Sequence, residues 1–121
     1  MKSTDIMTPQ QIISGMREKN RELSKSNDDL IDLAESMAQA KRDYAVAFSK
    51  KILDLKPAHP ATLLLDIVRG DENIAKLRFE KDVAKEVYSA CRQNIKNIHM
   101  GLETYRSILT WQRAELNAPN A

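Results

Sequence analysis

The chain has 121 residues, 30% of them charged and 5% aromatic, with three glycines, four prolines and a formal net charge of +2. One domain fits that length, and so few strand-favouring residues exclude a sheet protein in favour of helices. The small net charge does not by itself argue for nucleic acid. The single cysteine, Cys91, excludes an intrachain disulfide and agrees with a reducing compartment. Residues 1–11 lack the apolar core of a signal peptide, and the longest aliphatic run, Leu63 to Leu65, is far short of a membrane span. A cytoplasmic protein with no membrane segment is expected.

Residues 1–7 read as a disordered tail. Thr8, Pro9 and Gln11 then supply an N-cap, a first-turn proline and the glutamine of a capping box. Only Gly15 weakens the helical pattern from there to Leu55, so residues 8–55 are expected as one helix, roughly 65–70 Å long at 1.5 Å per residue. One column of its apolar seam holds Met16, Leu23, Leu30, Met37 and Tyr44. The facing column is read as Ile13, Asn20, Asn27, Ala34, Lys41 and Phe48. On that reading Asn20 and Asn27 either fix register at a cost in stability or lie in a lean, exposed stretch. Ser26 is a candidate cap for a restarted helix. Further on, Ile31, Leu33, Ala34, Ala38, Ala40, Ala45, Ala47 and Ile52 widen the apolar face, as burial by more than one neighbour requires.

The run Lys56-Pro57-Ala58-His59-Pro60 must break the helix, because each proline lacks an amide hydrogen and disfavours helix in the residue before it. Ala61 to Arg69 offers a short helix whose Leu63, Leu64, Ile67 and Val68 would cover the end of a bundle, with Gly70 as its C-cap. Asp71 caps a second long helix over 71–116, and residues 117–121 read as a disordered tail. The second helix carries its own seam at 3,4 spacing: Ile74, Leu77, Ala84, Tyr88, Cys91, Ile95, Ile98, Leu102, Tyr105, Leu109 and Leu116. Two long helices of matched length imply an all-α, antiparallel, coiled-coil-like hairpin with a short connecting helix, in one domain over 8–116. Phe79, Val83, Val87, Met100, Ile108 and Trp111 lie outside the seam. Such surplus apolar surface predicts a homodimer, with Tyr88, Cys91, Ile95, Ile98, Leu102, Tyr105 and Leu109 as its oligomerisation seam.

Every seventh residue from Arg78 is basic: Arg78, Lys85, Arg92, His99, Arg106 and Arg113 form one row beside that seam. Flanking positions of coiled coils commonly pair with acids on the neighbouring helix, and Glu22, Asp28, Asp29, Asp32, Glu35 and Asp43 are available for this. The other reading is an open row that meets phosphates or an acidic protein surface. Tyr88 and Tyr105 occupy the seam, which leaves only Phe79 and Trp111 for base stacking. Trp111, flanked by Tyr105 and Arg113, is the candidate anchor for a partner.

No catalytic constellation emerges. The two histidines, His59 in the proline turn and His99 in the basic row, have no orienting partner. His99 and Glu103 share a helix face but offer two ligands where a stable metal site needs three or four. Cys91 on the seam reads as a small hydrophobe, and three scattered glycines build no phosphate loop. Neither an enzyme, a cofactor nor a metal is expected.

The segments Tyr88-Ser-Ala-Cys-Arg-Gln and Gly101-Leu-Glu-Thr-Tyr-Arg-Ser-Ile-Leu-Thr-Trp-Gln-Arg-Ala-Glu-Leu116 resemble small helical proteins of bacteriophages and prophages. The resemblance covers mainly the second long helix and the Ala61–Gly70 turn, and it carries no motif with an assigned activity. It implies a small product acting in the bacterial cytoplasm by binding host or phage proteins, or nucleic acid. The expected function is a non-enzymatic adaptor or inhibitor that contacts a protein partner through Lys85, Arg92, His99, Arg106, Trp111 and Arg113. The alternative is a nucleic-acid-binding accessory factor for recombination or replication that uses the same row.

Overall fold

The computed structural model describes residues 7–118, and within them the chain is all-α. Helix α1 spans Pro9–Leu55, a 3-10 turn spans Lys56–Ala58, α2 spans Ala61–Arg69 and α3 spans Glu72–Asn117. The long helices pack on each other as a helical hairpin, in two compact units: a turn unit, Leu30–Ala90, and a terminal unit, Met1–Asp29 with Cys91–Ala121. Most of the two expected tails, residues 1–6 and 119–121, lies outside the described residues. Asn117, placed in a tail by the sequence pattern, is the last residue of α3.

The punctuation of the elements follows local chemistry. The Thr8 amide donates to Gln11 Oε1 at 2.9 Å and the Gln11 amide donates to Thr8 Oγ1 at 3.2 Å, so a capping box starts α1. Ser26 does not restart α1, which runs unbroken through it. Asp71 Oδ2 accepts from the Ile74 amide at 3.1 Å and caps α3. Gly70 stands at the C-cap of α2 with a right-handed φ of −83°, so no left-handed glycine turn is used there.

In the turn unit, Leu64, Val68 and Ile74 form a buried cluster, covered by Tyr44, Ala47, Phe48, Ile52 and Leu55 of α1. Three elements therefore share one core, as the broad apolar face of later α1 required. Burying each of these aliphatic side chains contributes about 2 kcal/mol before entropy is charged. Two cations edge this core. Lys81 Nζ lies 4.7 Å from the centroid of the Tyr44 ring, and Lys51 pairs with Asp71 at 3.3 Å.

In the terminal unit the helices are antiparallel, because partners on α3 fall in number as those on α1 rise. Gln112 Nε2 donates to the Met7 carbonyl at 2.7 Å, and Asn94 Nδ2 donates to Ser26 Oγ at 3.2 Å. Ile12, Ile98 and Leu102 are the buried apolar side chains among the described residues of this unit.

The seam on α1 is offset from its sequence reading. Met16, Leu23, Leu30, Met37 and Tyr44 do lie half-buried, but the facing column is Ile12, Lys19, Ser26, Leu33, Ala40 and Ala47. Asn20 and Asn27 are exposed one residue further round. Ile12 and Ile13 are adjacent, and apolar content alone does not say which of them turns inward. Lys19 and Ser26 then keep the unbroken 3,4 spacing that Asn20 and Asn27 only mimic. Lys19 can occupy the seam because its stem lies over Gly101, where a Cβ would meet Lys19 Cε at 3.3 Å, while its Nζ reaches Glu22 at 3.7 Å.

On α3 the seam also includes Lys81 and Gln112, both half-buried, whereas Leu116 is 83% exposed. The proposed oligomerisation seam is already used within the chain: Ile98 and Leu102 are buried, and Tyr88, Cys91, Ile95, Tyr105 and Leu109 are half-buried. Cys91 Sγ approaches the Ser26 carbonyl at 3.5 Å, and Tyr105 fills the space over Gly15. A second copy would have to use another face.

Candidate functional site

Seven-residue spacing on α3 sets Arg92, His99, Arg106 and Arg113 on one flank of the terminal unit's seam, and all four are exposed. The flank is identified by contacts on the opposite side. Gly101 and Asn94 meet Lys19 and Ser26, and the same repeat on α1 carries Gly15, Glu22 and Asp29 to that opposite side. In an antiparallel pair like flanks face one another, so the residues across from the basic row are Ile13, Asn20 and Asn27. None of them is a carboxylate.

Several of the acids expected to neutralise the row are engaged elsewhere. Glu22 pairs with Lys19, Asp29 with Lys25 at 3.1 Å, and Asp43 with Arg42 at 3.9 Å, each along its own helix. Asp32, Glu35, Asp43 and Glu80 instead line an open groove of about 520 Å³ in the turn unit, together with Ser36 and Gln39. Arg106 engages Glu103 one turn earlier on α3, an exposed pair of the kind that contributes little to stability. That contact also occupies the carboxylate that shares a helix face with His99. Arg78 and Lys85 continue the spacing in the turn unit, where Arg78 is half-buried and Lys85 exposed.

Trp111 is 65% exposed in the terminal unit, with a shallow depression on either side. One, of about 500 Å³, is lined by Glu103, Arg106, Ser107, Thr110, Trp111 and Ala114. The other, of about 460 Å³, is lined by Pro9, Trp111, Gln112, Glu115 and Leu116. The indole is thus bordered by the Arg106–Glu103 pair on one side and by apolar Pro9 and Leu116 on the other. Beneath it, Gln112 Oε1 is buried with no hydrogen-bond partner among the described residues. A glutamine at a seam position carries no signal in an apolar-periodicity search, and only the continued 3,4 count from Tyr105 and Leu109 points to it.

The arrangement presents charge and aromatic surface. Among the described residues no three His, Cys, Asp or Glu side chains are grouped as a metal ion would need, and no helix is long and apolar enough to cross a membrane. No family model, curated protein or solved structure matches the chain.

Proposed function

We propose that the chain is a non-enzymatic interaction module, an adaptor or inhibitor that seats a protein partner on the terminal unit around Trp111, Arg106 and Arg113. The observation that carries this reading is the exposed indole between a depression lined by the Arg106–Glu103 pair and a mainly apolar one. Tryptophan and arginine are the side chains that most often dominate binding energy at protein interfaces, and both stand here on a rigid helix. The resemblance to small phage proteins implies a partner among host or phage proteins of the bacterial cytoplasm. Affinity capture from phage-infected lysate, with and without nuclease, tests it. A protein retained after nuclease by the wild type and lost by Trp111→Ala is the expected result; recovery of nucleic acid alone defeats the reading.

A second reading, phosphate binding by the row as a nucleic-acid accessory factor, is favoured by one observation: the column facing Arg92, His99, Arg106 and Arg113 holds no acid. These four residues step along α3 at about 10.5 Å intervals. Phosphate binding would weaken steeply with salt and fail on reversing Arg92 and Arg106, whereas an interface anchored by Trp111 responds weakly to salt.

A further inference from the structure

We infer that the face of α3 turned away from α1 in the turn unit is a two-fold, antiparallel contact with a second copy of this chain. Phe79, Val83 and Val87 follow one another at four-residue steps on that face and are 68%, 42% and 44% exposed. Their direction is fixed by the seam residues Ile74, Leu77, Lys81, Ala84 and Tyr88, which turn to the opposite side of the helix. Such a stripe on a short chain is surface that association removes from water.

Charge identifies the occupant. Lys76 lies just before Phe79 on this face and Glu86 just after Val83, and both are exposed. They are ten residues apart, about 15 Å along the helix, too far to satisfy each other within one copy. A two-fold axis passing between Phe79 and Val83 sets each Phe79 over the partner's Val83. The same operation brings each Lys76 within reach of the partner's Glu86, so both charge pairs close at once. The surface is therefore complementary to itself in this register. The contact uses neither the seam nor the Trp111 region, so its failure and that of the partner-binding reading are separable.

Sedimentation equilibrium on the full chain tests this. The wild type should form a concentration-dependent dimer, and Phe79→Glu should be monomeric with an unchanged helical circular dichroism spectrum. Lys76→Glu and Glu86→Lys should each weaken self-association about tenfold by creating two like-charge pairs. An equimolar mixture of these two variants should associate as tightly as the wild type, because every unlike pair is restored. A wild type that stays monomeric, a Phe79→Glu variant that still dimerises, or a mixture no tighter than either single variant would overturn the contact.

Discussion

The turn unit and the terminal unit are cut from the same two helices, yet they close their seams with different materials. In the turn unit a third helix adds Leu64 and Val68, and these pack with Ile74 under Tyr44 and Phe48, whose ring centroids lie 5.6 Å apart. Among the described residues the terminal unit has no third element. Its seam mixes Ile12, Ile98 and Leu102 with Lys19, Ser26, Cys91 and Gln112. Apolar burial on three sides gives stability that tolerates little loss, whereas small and polar residues at fixed heights define which residue meets which. The difference teaches that one helical pair can take its stability from one stretch and its register from another.

The comparison breaks first at the turn unit. Ile74 is 1% exposed, and Ile74→Ala should cost about 3 kcal/mol in urea unfolding, a large fraction of the stability of a domain this size. A loss below about 1 kcal/mol would mean that the three-element core is not the stabilising centre.

The two glycines of the terminal unit sharpen the register claim. A Cβ at Gly15 would fall 2.5 Å from Cζ and Oη of Tyr105, so Gly15→Ala must displace the ring. Overpacking outweighs the gain in helix propensity, for a net loss of about 1 kcal/mol. At Gly101 the neighbour is the far end of Lys19, which can move, so Gly101→Ala should be neutral or stabilising by up to about 1 kcal/mol. Thermal melts of the two variants in opposite directions are expected, and equal shifts would argue against the close approach at Gly15.

Acid acts on the turn unit through Asp71. The Ile74 amide bond holds its carboxyl below the ordinary aspartate value, partial burial opposes this, and Lys51 lowers it further. A folded-state pKa below the unfolded one means that this stabilisation is present above the unfolded pKa and is lost as pH falls through the folded value. Asp71→Asn, which keeps a capping oxygen without the charge, should flatten the acid limb of the Tm–pH profile; an unchanged limb would exclude Asp71 as its source. The smallest stability effect is expected from Asn20→Glu with Asn27→Glu. These set acids across from the basic row, so Tm should hardly move. Capture of an acidic partner should nevertheless fall, and unchanged capture would mean that the row takes no part.

Much of the fold was legible in the sequence because its signals are local. The capping box at Thr8 and Gln11, the prolines at 57 and 60 and the Asp71 cap each act within a turn or two of chain. Register was not local. Choosing between Ile12 and Ile13 needs the partner helix, since Lys19 and Ser26 are admitted only because Gly101 and Asn94 stand opposite. The one-residue offset then decides the electrostatics, as Glu22 and Asp29 move to the flank away from Arg92 and Arg106. The basic row and Trp111 were legible from spacing and residue type. The carboxylate-free column across from the row was hidden, because it depends on that offset and on the antiparallel pairing together.

The register is what keeps carboxylates out of the α1 column across from the basic row, and an engineered cross-link to the native Cys91 measures it directly. Cys91 Sγ lies 3.5 Å from the Ser26 carbonyl, whereas Asn27 is turned outward. Under mild oxidation Ser26→Cys should form an intrachain disulfide with Cys91, seen as a faster-migrating monomer on non-reducing gels, and Asn27→Cys should not. Cross-linking through Asn27→Cys in preference to Ser26→Cys would contradict the pairing and, with it, the carboxylate-free column across from the basic row.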